Sequence, residues 1–186
     1  MGIHAEPGDR LARKRLPKKV GAYTVDRRLA AGGMGEVLLG THELLGRRAA
    51  LKRVKPGATG DDPEADAELL ERFQREARVL GTLQHSAISG IYDLFTHRGA
   101  SWMAMEYIDG FDGRELLAGG ALPLDVAVII ARRVADALGH AHRLGVVHRD
   151  IKPANVMVSR RGEVKLMDFC IARAEDGEKL TQTGVI

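Results

Sequence analysis

The sequence predicts an α+β fold in two unequal parts, a small antiparallel sheet carrying one helix, followed by a mainly helical region. Three observations predict it. Short β-like runs broken by turn residues fill Tyr23 to Val54, a helical stripe follows Asp62-Pro63, and a longer, more apolar helical stripe opens at Pro123. A content of 45% hydrophobic and 28% charged residues over 186 residues supplies one ordinary core and argues against wholesale disorder.

The elements follow in chain order. Tyr23 to Leu29, Val37 to Leu39 and Ala49 to Val54 read as three strands, with the glycine cluster Gly32, Gly33 and Gly35 between the first two. Leu69, Phe73, Ala77 and Leu80 recur at helical spacing behind Asp62-Pro63, which predicts a helix of about five turns. Ile88 to Phe95 and Trp102 to Ile108 read as two more strands. Glycines 110, 113, 119 and 120 mark a looser stretch around a short helix. Val126, Ile129, Ile130, Val134, Ala137, Leu138 and Ala141 then form the most apolar helix, expected at the core of the second part. Val156 to Val158 and Val164 to Met167, with a turn at Arg161 and Gly162, read as a small hairpin.

The net charge of +3 is a property of one end. Residues 1 to 20 carry six basic side chains (Arg10, Arg13, Lys14, Arg15, Lys18, Lys19) against Glu6 and Asp9, so they hold +4 and the remainder −1. A neutral body is a poor match to nucleic acid, and the basic stretch reads as a solvated flexible leader, with attraction to a membrane surface or an acidic partner as the alternative. Cys170 is the only cysteine, which excludes an internal disulfide and fits a reducing cytosol. No apolar run approaches the ~20 residues of a membrane span, so a cytoplasmic chain is expected.

The most informative segment is His148-Arg149-Asp150-Ile151-Lys152-Pro153-Ala154-Asn155, directly after the apolar helix. It resembles the catalytic loop of protein kinases. The resemblance implies that Asp150 orients the substrate hydroxyl and that Asn155 binds a metal ion. It also implies that Lys152, typical of serine/threonine rather than tyrosine specificity, sits on the γ-phosphate. Asp168-Phe169-Cys170 lies 18 residues beyond Asp150, where the family has Asp-Phe-Gly, and makes Asp168 the second metal ligand. Cys170 departs from that pattern. Glycine there tolerates φ > 0 and lets the backbone flip, so Cys170 is expected to stiffen this switch.

Ala30-Ala31-Gly32-Gly33-Met34-Gly35-Glu36-Val37 resembles the glycine-rich loop over the ATP phosphates, with Ala30 replacing its first glycine. Backbone N–H groups approach phosphate oxygens there without Cβ in the way. Ala49-Ala50-Leu51-Lys52 matches the family's third-strand motif and makes Lys52 the partner of the α- and β-phosphates. A strand lysine alone would read as a solvated edge residue, but Glu76 falls beside the stripe of Phe73, Ala77 and Leu80, where an unpaired carboxylate is costly, and Lys52 is its economical partner. Met105-Glu106-Tyr107-Ile108 resembles the hinge, with backbone groups of Glu106 and Ile108 on adenine. By the same register Val37, Ala50 and Met157 would sandwich the ring and Asp112 would meet the ribose. Leu80, Ile91, His148 and Phe169 hold the four positions that stack in active kinases. Arg149 is the residue that grips an activation-loop phosphate, with autophosphorylation expected at Thr181 or Thr183.

The resemblance divides the chain into a leader at 1–21, a kinase N-lobe at 22–107 and part of a C-lobe at 108–186. It covers Tyr23 to Ile186, whereas the family continues to a peptide-positioning loop, an Ala-Pro-Glu motif and further helices. It implies an ATP-dependent, Mg²⁺- or Mn²⁺-using protein serine/threonine kinase of bacterial type, truncated in its activation segment and weakly active or inactive. Two alternatives stay open. A pseudokinase or nucleotide-binding interaction module is favoured by Cys170 and Ala30, and a small-molecule phosphotransferase of the aminoglycoside-kinase type shares the Asp and Asn spacing.

Overall fold

The computed structural model describes residues 16–32, 35–54 and 63–169. A six-stranded antiparallel sheet is built from β1 (Lys19–Val20), β2 (Tyr23–Gly32), β3 (Gly35–His42), β4 (Arg48–Val54), β5 (Ile91–His97) and β6 (Ala100–Glu106), in the order β1-β2-β3-β4-β6-β5. The helix α1 (Pro63–Thr82) joins β4 to β5. Alternation along β4 explains why both faces of the sheet are apolar, since successive side chains point to opposite sides. Ala49 and Leu51 enter one cluster with Val20, Tyr23, Leu38, Trp102 and Ala104. Ala50 enters the other, with Met103, Met105 and the α1 residues Phe73 and Ala77.

The second part holds β7 (Gly110–Asp112), α2 (Gly113–Leu117), α3 (Leu124–Arg143), a 3₁₀ turn (Pro153–Asn155), β8 (Val156–Ser159) and β9 (Val164–Leu166). Strands β7, β8 and β9 form their own antiparallel sheet. A Cβ on Gly110 would drive into the Val158 carbonyl oxygen, so only glycine lets β7 lie this close to β8. Ala137 and Ala141 are fully buried on α3 and let β9 pack close, with Ile130, Val134 and Leu138 half-buried beside them. Leu124, Val128 and Ile129 stay exposed on the same helix.

The two parts are tied at β9. Leu166 N donates to Ala87 O at 2.8 Å, and Ser89 N donates to Leu166 O at 3.0 Å. This tie corrects one expectation: Ile88 makes an isolated parallel bridge to Leu166, so β5 begins only at Ile91. A second correction concerns the leader expected to run to residue 21. Lys19–Val20 pairs with β2 and Val20 is fully buried, so this end belongs to the sheet. Lys52 therefore falls on the fourth strand of the chain. Gly33, Cys170, Thr181 and Thr183 lie outside the described residues, as does the Glu76 side chain. Among the described residues no helix is long and apolar enough to cross a membrane.

Candidate active site

The loop from His148 to Asn155 is held by its own backbone and by β9. His148 is fully buried, and Met167 O, which can only accept, takes a hydrogen bond from its Nε2 at 2.8 Å. Nδ1 is then the acceptor for Asp150 N at 3.3 Å. Burial pushes the His148 pKa below its ordinary value, so the ring is neutral. Its face meets Phe169 with ring centroids 4.5 Å apart. Phe169, Leu80 and Ile91 share one apolar cluster, so the four residues expected to stack do come together.

Asn155 N donates to Lys152 O at 2.9 Å and closes the 3₁₀ turn, while Met167 N donates to Asn155 O at 2.8 Å. The Asn155 side chain, almost wholly buried, turns its amide nitrogen onto Asp150: Nδ2 lies 2.8 Å from Asp150 O and 3.0 Å from Asp150 Oδ2. Lys152 Nζ sits 2.6 Å from Asp150 Oδ2. The hydrogen bond from Lys152, and secondarily that from Asn155, holds the Asp150 carboxyl below the usual carboxylate range. Asp150 is therefore ionised and a weak base.

Two non-glycine residues at this site have left-handed backbones, Arg149 at φ 63° and Asp168 at φ 45°. Such conformations cost energy and gather at functional positions. At Asp168 the turn lets Phe169 plunge into the core while the carboxylate stays half-exposed. Lys52 Nζ reaches it from β4, 2.9 Å from Asp168 Oδ1 and 116 residues away in the chain. The expected pairing of Lys52 with Glu76 involves a side chain outside the described residues.

Above Lys52 lies the expected adenine end. Val37 pairs with Lys52 and Ala50 pairs with Met105 across the sheet, and Val37, Ala50 and Met105 share one apolar cluster. Met157 is half-buried on β8, directly opposite Asp112. Ile108 is buried in the connection between β6 and β7. Ala30 pairs with Val37 and Gly32 with Gly35 where β2 meets β3. Asp112 caps α2: its Oδ1 accepts from Arg114 N and Glu115 N, and the Glu115 carboxylate in turn accepts from Asp112 N. The Arg114 guanidinium holds the Asp112 carboxyl below the usual range.

One residue that ties the two parts together escaped the sequence reading. Lys165 on β9 places Nζ 2.8 and 2.9 Å from the two carboxylate oxygens of Glu106. Glu106 also accepts from Gly90 N at 3.2 Å, and its own N–H donates to Gly90 O at 2.8 Å. The pair clasps β6 to β9. Its only sequence signal was alternation on β9, which places Lys165 opposite Val164 and Leu166.

Among the described residues no cluster of three or more His, Cys, Asp or Glu could cage a metal ion. A hard divalent ion such as Mg²⁺ or Mn²⁺ needs no such cage, since it takes one or two protein oxygens and completes its shell with phosphates and water. The oxygens here that could hold such an ion are the side-chain carbonyl of Asn155, whose nitrogen bonds Asp150, and the Asp168 carboxylate, which Lys52 meets on one side.

Lys52, Asp150, Asn155 and Asp168 thus gather where the six-stranded sheet meets the second, mainly helical part. The family model of the protein kinase domain matches residues 23–186, and the chain belongs to that family. It is 39% identical over 178 residues to the probable serine/threonine-protein kinase SCO3848 of Streptomyces coelicolor, covering 91% of this chain and 26% of that protein. It is 36% identical over 172 residues to the serine/threonine-protein kinase PknA of Mycobacterium tuberculosis, covering 89% of this chain and 39% of that protein. The crystal structure of the M. tuberculosis PknI kinase domain superposes with a TM-score of 0.70 at 37% identity, covering 85% of this chain and 62% of that one. The chain thus spans less than two-thirds of the length of these relatives.

Proposed function

We propose that the site transfers the γ-phosphoryl group of ATP to serine or threonine hydroxyls of proteins. The observation that carries this reading is the convergence on Asp150: Asn155 and Lys152 hold its carboxylate, and Met167, the residue before Asp168, ties Asn155 to the end of β9. The nucleotide lies between residues 22–107 and 108–186. Val37, Ala50 and Met157 flank the adenine, backbone groups of Glu106 and Ile108 bond it, and Asp112 faces the ribose. The backbone of Gly32, Gly33 and Gly35 covers the phosphates. Lys52 contacts the α- and β-phosphates, with Glu76 holding it.

Asp150 accepts a hydrogen bond from the substrate hydroxyl and aims its oxygen in line with the γ-phosphorus. Because its pKa is lowered, Asp150 orients the hydroxyl first and receives its proton late, as the new O–P bond forms and the bond to ADP breaks. Lys152 offsets charge on the moving phosphoryl group. Asn155 and Asp168 would hold Mg²⁺ or Mn²⁺, which would supply positive charge to offset that of the phosphates. Arg149 would receive phosphate placed on Thr181 or Thr183 by autophosphorylation. Dependence on ATP and a lone cysteine fit a cytoplasmic setting.

We expect the 186 residues alone to be only weakly active, since Val128 and Ile129 on α3 and Val147 and Ile151 around the loop are exposed and their unburied surface lowers the stability on which the site depends. Each such side chain forgoes roughly 1.5 to 3 kcal/mol of burial. Incubation with labelled ATP, Mg²⁺ and a generic protein substrate, followed by phosphoamino-acid analysis, tests the reading. Label on serine or threonine supports it, and label on tyrosine alone contradicts it. A nucleotide-binding module without transfer is the second reading, resting on Cys170 and Ala30; it predicts bound Mg²⁺·ATP and no labelled protein.

A further inference from the structure

On the far side of the sheet from Lys52, a cavity of about 260 Å³ is lined by Arg28, Glu36, Arg53, His97, Arg98 and Trp102. Lys52 and Arg53 are neighbours on β4, so their side chains leave opposite faces and this cavity is separate from the nucleotide cleft. Four nitrogens of its lining residues are buried without a hydrogen-bond partner among the described residues: Arg28 Nε, Arg53 Nε, Trp102 Nε1 and His97 Nε2. The first three can only donate, and the fourth donates in one tautomer. Trp102 is itself 3% exposed.

Buried donors are normally satisfied, so four orphans around one cavity ask for an occupant rich in acceptors. Glu36 meets part of the demand. Its carboxylate lies 3.4 Å from Arg28 and 3.0 Å from Arg53, but on their terminal nitrogens, which leaves both buried Nε–H groups without a partner among the described residues. Three guanidinium groups against one carboxylate leave two positive charges in excess. Cross-strand pairing fixes the frame, with Arg53 opposite both Glu36 and Trp102 and its guanidinium over the indole at 5.6 Å.

We propose that this cavity is a binding site for a phosphate group, free or on a small phosphate monoester. Guanidinium groups match phosphate oxygens geometrically, and the excess charge matches a dianion better than a monocarboxylate. The volume admits one such group and is too small for a nucleotide.

Trp102 is the only tryptophan, so its fluorescence reads the site directly. The full chain is titrated with inorganic phosphate, glycerol phosphate, acetate and chloride at matched ionic strength. The expected result is a saturable change with inorganic phosphate or glycerol phosphate and about tenfold or more weaker response to acetate. Arg53→Gln and Arg28→Gln are each expected to raise the dissociation constant about tenfold or more, one variant guarding against misfolding of the other. Lys52→Met and saturating Mg²⁺·ATP are expected to leave it unchanged. No saturable response to either phosphate, an equal response to chloride or acetate, or loss of the response with Mg²⁺·ATP or Lys52→Met would each overturn the proposal.

Discussion

Asp168→Asn separates a structural from a metal-binding role for the carboxylate that Lys52 meets at 2.9 Å. Asparagine preserves the shape and tolerates the left-handed backbone at φ 45°, so the fold pays no conformational penalty. The ion pair itself is worth little, because the side chains of Lys52 and Asp168 are 30% and 48% exposed. Pairs so exposed contribute about 0 to 1 kcal/mol, which for a chain of this length lowers Tm by at most about 4 °C. The functional loss is larger. At a hundredfold excess over Kd a ligand adds about 2.7 kcal/mol to native-state stability, a rise in Tm of roughly 5 to 10 °C. Thermal unfolding with ATP, in Mg²⁺ and then in chelator, measures it. The wild-type chain should show a Mg²⁺-dependent rise that Asp168→Asn lacks, and label transfer should fall at least about a hundredfold. An undiminished Mg²⁺-dependent rise in the variant would refute the metal assignment. A loss of more than about 3 kcal/mol without ligand would show that the carboxylate is structural.

Three further outcomes follow from other contacts. Burial lowers the His148 pKa below 6.5, so as pH falls the unfolded chain takes up the proton first. Stability is therefore complete above about pH 6.5 and declines below it; His148→Phe should flatten that decline between about pH 7 and 5 in urea unfolding, while orphaning Met167 O at a cost of about 1 to 3 kcal/mol. Lys152→Met removes the main cause of the low Asp150 pKa, so the acid limb of the pH–rate profile should move to higher pH while the rate falls. Lys165→Met leaves Glu106 without its cation in a partly buried clasp and should cost roughly 2 kcal/mol, lowering Tm by about 4 to 8 °C, with a weaker ATP response.

Much of the fold was legible because it rests on local patterns. Pro63 and Pro123 mark the starts of α1 and α3 to within a residue, and β4 carries the alternation that puts Ala50 and Lys52 on one face. What escaped depends on partners distant in sequence. Lys19–Val20 is two residues long and becomes a strand only because β2 is beside it. Ile88 has the side chain of a strand residue but is drawn to Leu166, 78 positions on, which delays β5. The loop proposed as catalytic was legible because its residues are contiguous from His148 to Asn155. Lys165 was not, because its partner Glu106 lies 59 residues away and a lysine on a three-residue strand carries no sign of its burial. Asp112 was read only as a ribose contact, although Glu115 three residues later is a capping-box signature.

The central claim is that phosphoryl transfer depends on Asp150 and not merely on a bound nucleotide. The most direct measurement compares wild type with Asp150→Asn for label transfer from ATP to serine and threonine, with Mg²⁺·ATP affinity determined on the same preparations. Wild type is predicted to transfer slowly but measurably, and the variant to bind nucleotide within a few-fold of wild type while losing at least about a hundredfold in transfer. Equal transfer by the two proteins, or no transfer by a wild-type chain saturated with Mg²⁺·ATP, would contradict the account.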